Sequence, residues 1–565
     1  MRLDRAATKL LALVSTVGVI SALTVTSAAS AGAATSTGPR SQAIVALAGN
    51  GAVSVPGLHV QSVLAGVDSE IVDGTSAQLA QLAATPGVLG VEPNVSAHLE
   101  SNSFGGRDVT DPNGSNGSGN GSGNGSNAGP GDGTGPTVTP PSTDSAATSA
   151  GPLSPVAVPS VGVTASSTLG GIAGSPRAGR GVTVALIDTG VADTAALNRD
   201  SGRLVDAVDT SGLNTPNGHV QENGVFTDTY GHGTFMASLI AGGQVPGSGD
   251  TGLGVAPGAT IDVVKVADAS GNTSLAAVMA GLNWVATHSD QVDVANLSLS
   301  VDPPATRYGI DPLNFAVFLT RAAGVTVVVA AGNTPGVVGD PGFGPASLTV
   351  GAADTTGQSP IVAPFSGFAN VDGVSKPDVV AAGVNILGEM PVGSLIDQEF
   401  PNARQPSGLF RGSGTSQSTA IVTGLAALYL QSHPSANPLQ VKSAIRSAAS
   451  SITTGKSDGQ GLVAIPNGNN GSNNTGEQNL NYFQWFSTAP LWGGLFTGGA
   501  FDARRWSARR WSASGWDARR WAAVTFDARR WSDVTFDARL WSARMWGSRM
   551  WGSRMWSASY WGDNT

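Results

Sequence analysis

The sequence predicts an α/β fold: a mostly parallel sheet with helices on both faces, preceded by a small α+β unit. Three observations point there. GVTVALID (181–188), ATIDVVKV (259–266), VDVANLSL (292–299) and GVTVVVAAGN (324–333) are apolar at successive as well as alternate positions and rich in valine. Strands buried on both faces read this way. Between such runs stand stretches of helical period, SLAAVMAGLNWVATHS (274–289) and DPLNFAVFLTRAAG (311–324), and strand–helix–strand order calls for parallel pairing. Polar residues fall at the carboxyl ends of the runs: Asp188, Ser298, Ser300 and Asn333. Open α/β sheets gather functional groups at those ends.

Taken in order, residues 1–31 read as a signal peptide. Arg2, Arg5 and Lys9 lead into an apolar stretch, and Ala29-Ser30-Ala31 fits the small-x-small cleavage pattern. The protein is therefore expected to be secreted. Residues 41–100 read as a small folded unit: a strand at SQAIVAL, a capped helix in DGTSAQLAQLAATPG with Thr75 or Ser76 at its start and Leu79 and Leu82 on one face, then a strand at GVLGVEP. Residues 101–154 are rich in Gly, Ser, Asn and Pro and read as a linker that buries no core. Residues 155–455 form the main domain, 456–480 a second linker and 481–565 a repetitive tail. The chain has no cysteine, which excludes disulfides and thiolate chemistry. Its net charge of −9 gives no overall attraction to nucleic acid, and no nucleic-acid partner is expected.

In the tail an aromatic residue returns at every fifth position from Phe501 to Trp561, and ten of these are tryptophan. A period of five fits neither one helix face nor one strand face. It suggests a repeat unit, either a solenoid or a segment that orders on binding. Residues 501–565 carry twelve arginines and six aspartates. Guanidinium and indole side by side suit an anionic cell-surface polymer or a membrane surface.

Four residues at predicted element ends are candidates for chemistry. Alone, Asp188 reads as a turn carboxylate, His232 as a helix-start residue, Asn333 as a turn asparagine and Ser416 as an N-cap hydroxyl. Together they supply an activated nucleophile. A serine hydroxyl needs a base to take its proton. An imidazole titrates near neutrality and returns that proton to a leaving amine. A carboxylate fixes the imidazole tautomer and stabilises the imidazolium.

The surroundings of these residues, in the order Asp, His, Asn, Ser, resemble the subtilisin-like serine peptidases. VALIDTGV resembles the family's aspartate motif. DTYGHGTFMASLIAG resembles the histidine motif, with Phe235 where a second histidine is common and Ser238 where glycine is common. VVVAAGN resembles the asparagine motif. SGTSQSTAIVTG resembles the serine motif, with Gln417 for methionine and Ala420 for proline. The resemblance implies a serine endopeptidase that works through an acyl-enzyme, with Asp188, His232 and Ser416 as its triad and Asn333 with the Ser416 N–H as oxyanion donors. It implies a polypeptide substrate bound as an added strand along Ser298, Leu299 and Ser300, where Ser300 replaces a usual glycine. It also implies that residues 41–100 are an inhibitory propeptide. No cofactor is required for such chemistry. Structural calcium is common in the family, but Asp250 stands in a stretch with no clear ligand set, and no metal site is assigned. The departures at Gln417 and Ser300 favour one alternative, a peptidase-fold binding protein with impaired turnover and the tail as its surface-binding module.

Overall fold

A computed structural model describes residues 38–48, 55–99 and, apart from short internal stretches, 177–466. The signal segment, the first linker, Asp250 and the aromatic tail lie outside the described residues.

The N-terminal unit contains β1 (Arg40–Leu47), β2 (His59–Leu64), β3 (Ser69–Thr75), α1 (Ser76–Ala83) and β4 (Val88–Pro93). Its strands pair antiparallel in the order β4-β1-β3-β2. Period-two alternation gives the sheet two buried faces. Ala43, Val45 and Leu47 pack with Leu79 and Leu82 of α1 as the unit's own core. Ile44, Leu64, Val67 and Ile71 belong instead to a cluster shared with the main domain. Helix α1 begins where its sequence predicts: Gln78 N–H donates to the Thr75 hydroxyl, and Gln78 Oε1 accepts from Thr75 N–H at 2.9 Å.

The main domain is built on β6 (Thr183–Asp188), β7 (Leu204–Asp209), β8 (Thr260–Lys265), β10 (Val294–Leu297), β13 (Thr326–Ala330), β14 (Leu348–Asp354) and β15 (Val379–Ala382). These pair in parallel in the order β7-β8-β6-β10-β13-β14-β15. Two short antiparallel additions, Gln221–Glu222 on β7 and Ile361–Val362 on β14, make the sheet mixed. The doubly apolar runs are explained by what covers them. Val184, Leu186, Ile261, Val263, Val294 and Val328 face α2 (His232–Ala241), α5 (Thr415–Ser432) and α6 (Pro438–Ser447). Ala185, Ile187, Val264, Ala295, Leu297 and Val327 face α3 (Leu275–Thr287) and α4 (Pro312–Ala322). Ser274 caps α3. Asp311 caps α4 by accepting from Leu313 N–H and Asn314 N–H, with Pro312 in the first turn.

The packed body does not stop at residue 455, where the sequence suggests a linker. Leu462 bridges Val380 and Ser450, and Val463 and Ile465 are buried in the α2–α5 core. The glycines and polar residues at 456–461 make this segment look like a linker, while three apolar residues, Leu462, Val463 and Ile465, dock it.

Candidate active site

Asp188 ends β6 and Ser298 follows β10, while Asn333 lies just past β13. These strands are neighbours, with Ile187 opposite Leu297 and Leu297 opposite Val329. Strand register therefore puts Asp188 and Ser298 side by side at the carboxyl end of the sheet, and Asn333 follows three residues past the end of the neighbouring strand.

His232 reaches this end as the first residue of α2. Its Nδ1 lies 2.7 Å from Asp188 Oδ1, and both side chains are fully buried. An ionised carboxylate only accepts, so Nδ1 carries the proton and Nε2 presents a lone pair. Nε2 is buried and makes no hydrogen bond. The two loops can meet only because two glycines stand there. Gly190 has φ 107°, and a Cβ on Gly233 would lie 2.1 Å from the Gly190 carbonyl.

A residue that the sequence reading missed holds this geometry. Asp228 is buried and accepts four hydrogen bonds: from Gly231 N–H (2.7 Å), Thr234 N–H (2.8 Å), Thr234 Oγ1 (2.7 Å) and Thr189 Oγ1 (2.9 Å). Thr189 Oγ1 accepts in turn from Gly233 N–H at 2.8 Å. Asp228 thus ties the start of α2 to the residue after Asp188. Burial pushes its carboxyl up, and the four donors act against that. The signal in the sequence was an aspartate four residues before His232 in DTYGH. Lys265, at the end of β8, adds a bond from Nζ to the Thr189 carbonyl at 2.6 Å.

Ser416 is the second residue of α5 and is fully buried. Its Oγ donates to the Ser298 carbonyl at 3.3 Å, and Ser298 Oγ donates to the Ser416 carbonyl at 3.4 Å. Asp188 and His232 are joined directly, whereas His232 Nε2 forms no hydrogen bond to Ser416. Asn333 Oδ1 accepts from Thr415 N–H (2.9 Å) and Thr415 Oγ1 (3.0 Å), which leaves Nδ2 as the donor end of that amide. Gln417 is buried, and neither of its amide atoms is hydrogen-bonded. Ala420 is buried in an uninterrupted α5, as its helix propensity allows.

The predicted substrate edge is β11 (Leu299–Val301), which Ser298 precedes, and another part of the chain lies along it. β5 (Ser96–Leu99) pairs with β11 antiparallel: Leu99 opposite Leu299, His98 opposite Ser300, Ala97 opposite Val301. On its other side β5 pairs with β9 (Thr273–Ser274). Among the described residues no group of three or more His, Cys, Asp or Glu side chains is placed to hold a metal ion, and no helix is long and apolar enough to cross a membrane.

A profile described as the subtilase family matches residues 179–482, just over half of the chain. The chain belongs to the subtilase family. It is 34% identical over 289 residues to serine protease AprX of Bacillus subtilis (strain 168), covering 48% of this chain and 62% of that one. It is 34% identical over 269 residues to an extracellular serine proteinase of Thermus sp. (strain Rt41A), covering 47% and 55%. It is 32% identical over 287 residues to subtilisin Savinase of Lederbergia lenta, covering 50% and 89%. The chain therefore spans less than two thirds of the length of the first two relatives. Among solved structures it is similar in fold to fervidolysin from Fervidobacterium pennivorans, a keratinolytic enzyme related to subtilisin, with TM-score 0.52 and 22% identity over 76% of this chain and 60% of that one. This agrees with the α/β, mostly parallel architecture of the subtilase.

Proposed function

We propose that this subtilase is an exported serine endopeptidase, held latent by its own N-terminal unit until that unit is removed. One observation carries the reading. A segment of the chain lies as an added antiparallel strand on Leu299–Val301, and its last paired residue, Leu99, sits opposite the residue after Ser298, whose carbonyl holds the Ser416 hydroxyl. An edge that accepts the chain's own extended polypeptide suits a polypeptide substrate, and its occupant blocks other peptides.

In the proposed reaction, the Ser416 side chain turns from the Ser298 carbonyl toward His232. Nε2 takes the Oγ proton, and Oγ bonds to the substrate carbonyl carbon. Negative charge develops on that carbonyl oxygen, with Asn333 Nδ2 and the Ser416 N–H as its donors. A single side-chain donor of this kind is worth about 3 kcal/mol of barrier. Nε2–H then protonates the departing amine as the C–N bond breaks. Water, deprotonated by the same nitrogen, adds to the acyl carbon, and the C–Oγ bond breaks as Nε2–H returns the proton to Ser416 Oγ. Asp188 keeps Nδ1–H in place throughout and stabilises the imidazolium.

Export rests on residues 1–31, and the basic, aromatic tail is assigned to an anionic cell-surface polymer or membrane surface. A peptidase-fold binding protein without turnover is the second reading, favoured by the Ser416 hydroxyl lying on Ser298 in place of His232. A fluorophosphonate probe separates the two. Material freed of residues 1–100 is expected to be labelled, and the Ser416→Ala protein is expected to take up no label. Absence of label from the processed protein would favour the binding-protein reading.

A further inference from the structure

The latency reading assigns the N-terminal unit, residues 41–100, the role of an inhibitor. Resting on that reading, we propose that the main domain clasps this inhibitor a second time, through a docking strand for the outer edge of β4. That strand is β12 (Tyr308–Gly309). It pairs antiparallel with β4, Tyr308 opposite Val91 and Gly309 opposite Gly90, and makes the N-terminal sheet five-stranded.

The order of contacts gives the clasp its meaning. β4 and β5 are consecutive in the N-terminal unit, separated by Asn94 and Val95. β11 and β12 are consecutive strands of the main domain. β11 holds β5, and β12 holds β4. Between them, the first N–H groups of α3 hold the connector: Leu275 N–H donates to the Val95 carbonyl at 2.9 Å, and Ala276 N–H to Asn94 Oδ1 at 2.8 Å. The segment is thus held at Gly90–Val91, at Asn94–Val95 and along Ser96–Leu99, with the clasp at the end away from Ser416. The substrate edge on β11 and the clasp on β12 both come before the α4 cap Asp311 in the chain.

The composition fits a reversible strand. Gly309 faces Gly90, so one of the two cross-strand pairs has no side chains, and strand propensity there is poor. Recognition therefore comes mainly from main-chain hydrogen bonding. Without β12, the same edge of β4 would present unpaired N–H and C=O groups to water. The partner committed to this strand is residues 88–93 of the same chain. A cut after β5 severs the inhibitor from the cleft end only. The clasp and the α3 contacts then set how long the severed unit stays bound.

The test uses the full chain with Tyr308 and Gly309 both replaced by proline, compared with the same pair replaced by alanine. Proline removes main-chain donors, and alanine keeps them. After processing, dilution into a fluorogenic peptide gives a lag that reports release of the N-terminal unit. The proline pair is expected to shorten the lag about tenfold, the scale of one or two net main-chain hydrogen bonds. The alanine pair is expected to stay within about twofold on the same scale. A wild-type lag in the proline pair, or an equally short lag in the alanine pair, overturns the clasp. A second measurement needs neither turnover nor processing. In unprocessed Ser416→Ala protein, hydrogen exchange at Gly90 or Val91 is expected to accelerate when the proline pair is introduced, while β1 and β3 stay protected. Unchanged exchange at both residues overturns the proposal. A wild-type protein that never processes would count against the peptidase reading, and the exchange result would still decide the clasp.

Discussion

At residue scale, the imidazole of His232 depends on a carboxylate that does not touch it, Asp228. Asp228 is a positioning residue: both its oxygens face only donors, and those donors belong to the loop after Asp188 and the first turn of α2. Asp228→Asn turns one acceptor into a donor that faces other donors. An unsatisfied buried group of this kind costs about 1–3 kcal/mol. The expected outcome is a fall in kcat of at least about tenfold with little change in KM, because the proposed substrate edge on β11 is elsewhere. Steady-state kinetics on a short peptide checks this, and a selective rise in KM would contradict it. The asymmetry between Asp228 and the predicted quartet shows what a sequence can reveal. Asp188, His232, Asn333 and Ser416 stand within two residues of a glycine and near the ends of strong elements, where polarity is conspicuous. Asp228 sits in a loop among other polar residues, and its role comes from four bonds that only folding assembles. The direction of the Ser416 hydroxyl was equally illegible, since it depends on the Ser298 carbonyl, far away in the chain.

At the scale of elements, the long parallel strands were readable because burial on both faces leaves only one kind of residue. The short strands were not. β5, β9, β11 and β12 have two to four residues each, and their pairing follows from where the long elements put them. A polar residue inside a long strand marks a third case. Asp262 lies within ATIDVVKV on β8, is 4% exposed, pairs across to Asp206 of β7, and has a buried Oδ1 without a hydrogen bond. Burial, and next the charge of Asp206, push its carboxyl up to about 7, against a backbone hydrogen bond from Asp206 and the charge of His288. In the unfolded chain the same group ionises near 3.8. From about pH 4 to pH 7 the folded chain therefore keeps a proton that the unfolded chain has lost. Stability falls as pH rises through that window and stays lower above it, by about 1.4 kcal/mol for each pH unit of the shift. Asp262→Asn cannot ionise, so its stability is expected to vary less between pH 5 and pH 8 and to exceed that of the parent at pH 8. Urea unfolding in the Ser416→Ala background, in which the proposed peptidase cannot digest itself, measures both. An unchanged pH slope in the Asn protein would show that the decline comes from other groups.

For the whole molecule, the N-terminal unit and the main domain share one hydrophobic cluster. Ile44, Leu64, Val67, Ile71, Ala97 and Leu99 are buried together with Leu275, Met279 and Leu282 of α3 and Leu313 and Val317 of α4. Gly66 N–H also donates to Asn283 Oδ1 of α3 at 2.8 Å. The two parts differ in how hard they are to fold. The N-terminal sheet joins strands that are close in sequence. The main sheet must bring β6, at 183–188, against β8, at 260–265, and β10, at 294–297, in parallel. Closing such long loops before any contact rewards it makes folding slow. A preformed apolar face that receives α3 and α4 organises the two helices covering one side of that sheet, and so lowers the entropy left to lose. A chain that begins after residue 100 lacks this face. After dilution from denaturant it is expected to regain fluorophosphonate-reactive Ser416 at least about tenfold more slowly than the full chain, since mutations in a folding nucleus act mainly on the folding rate. On the proposed latency reading the full chain must be processed before labelling, because β5 occupies the strand edge at Leu299–Val301. Labelled protein is therefore compared with total refolding time rather than with the appearance of activity alone. Equal recovery rates would mean that the main domain organises α3 and α4 without help, and that the shared cluster serves inhibition only.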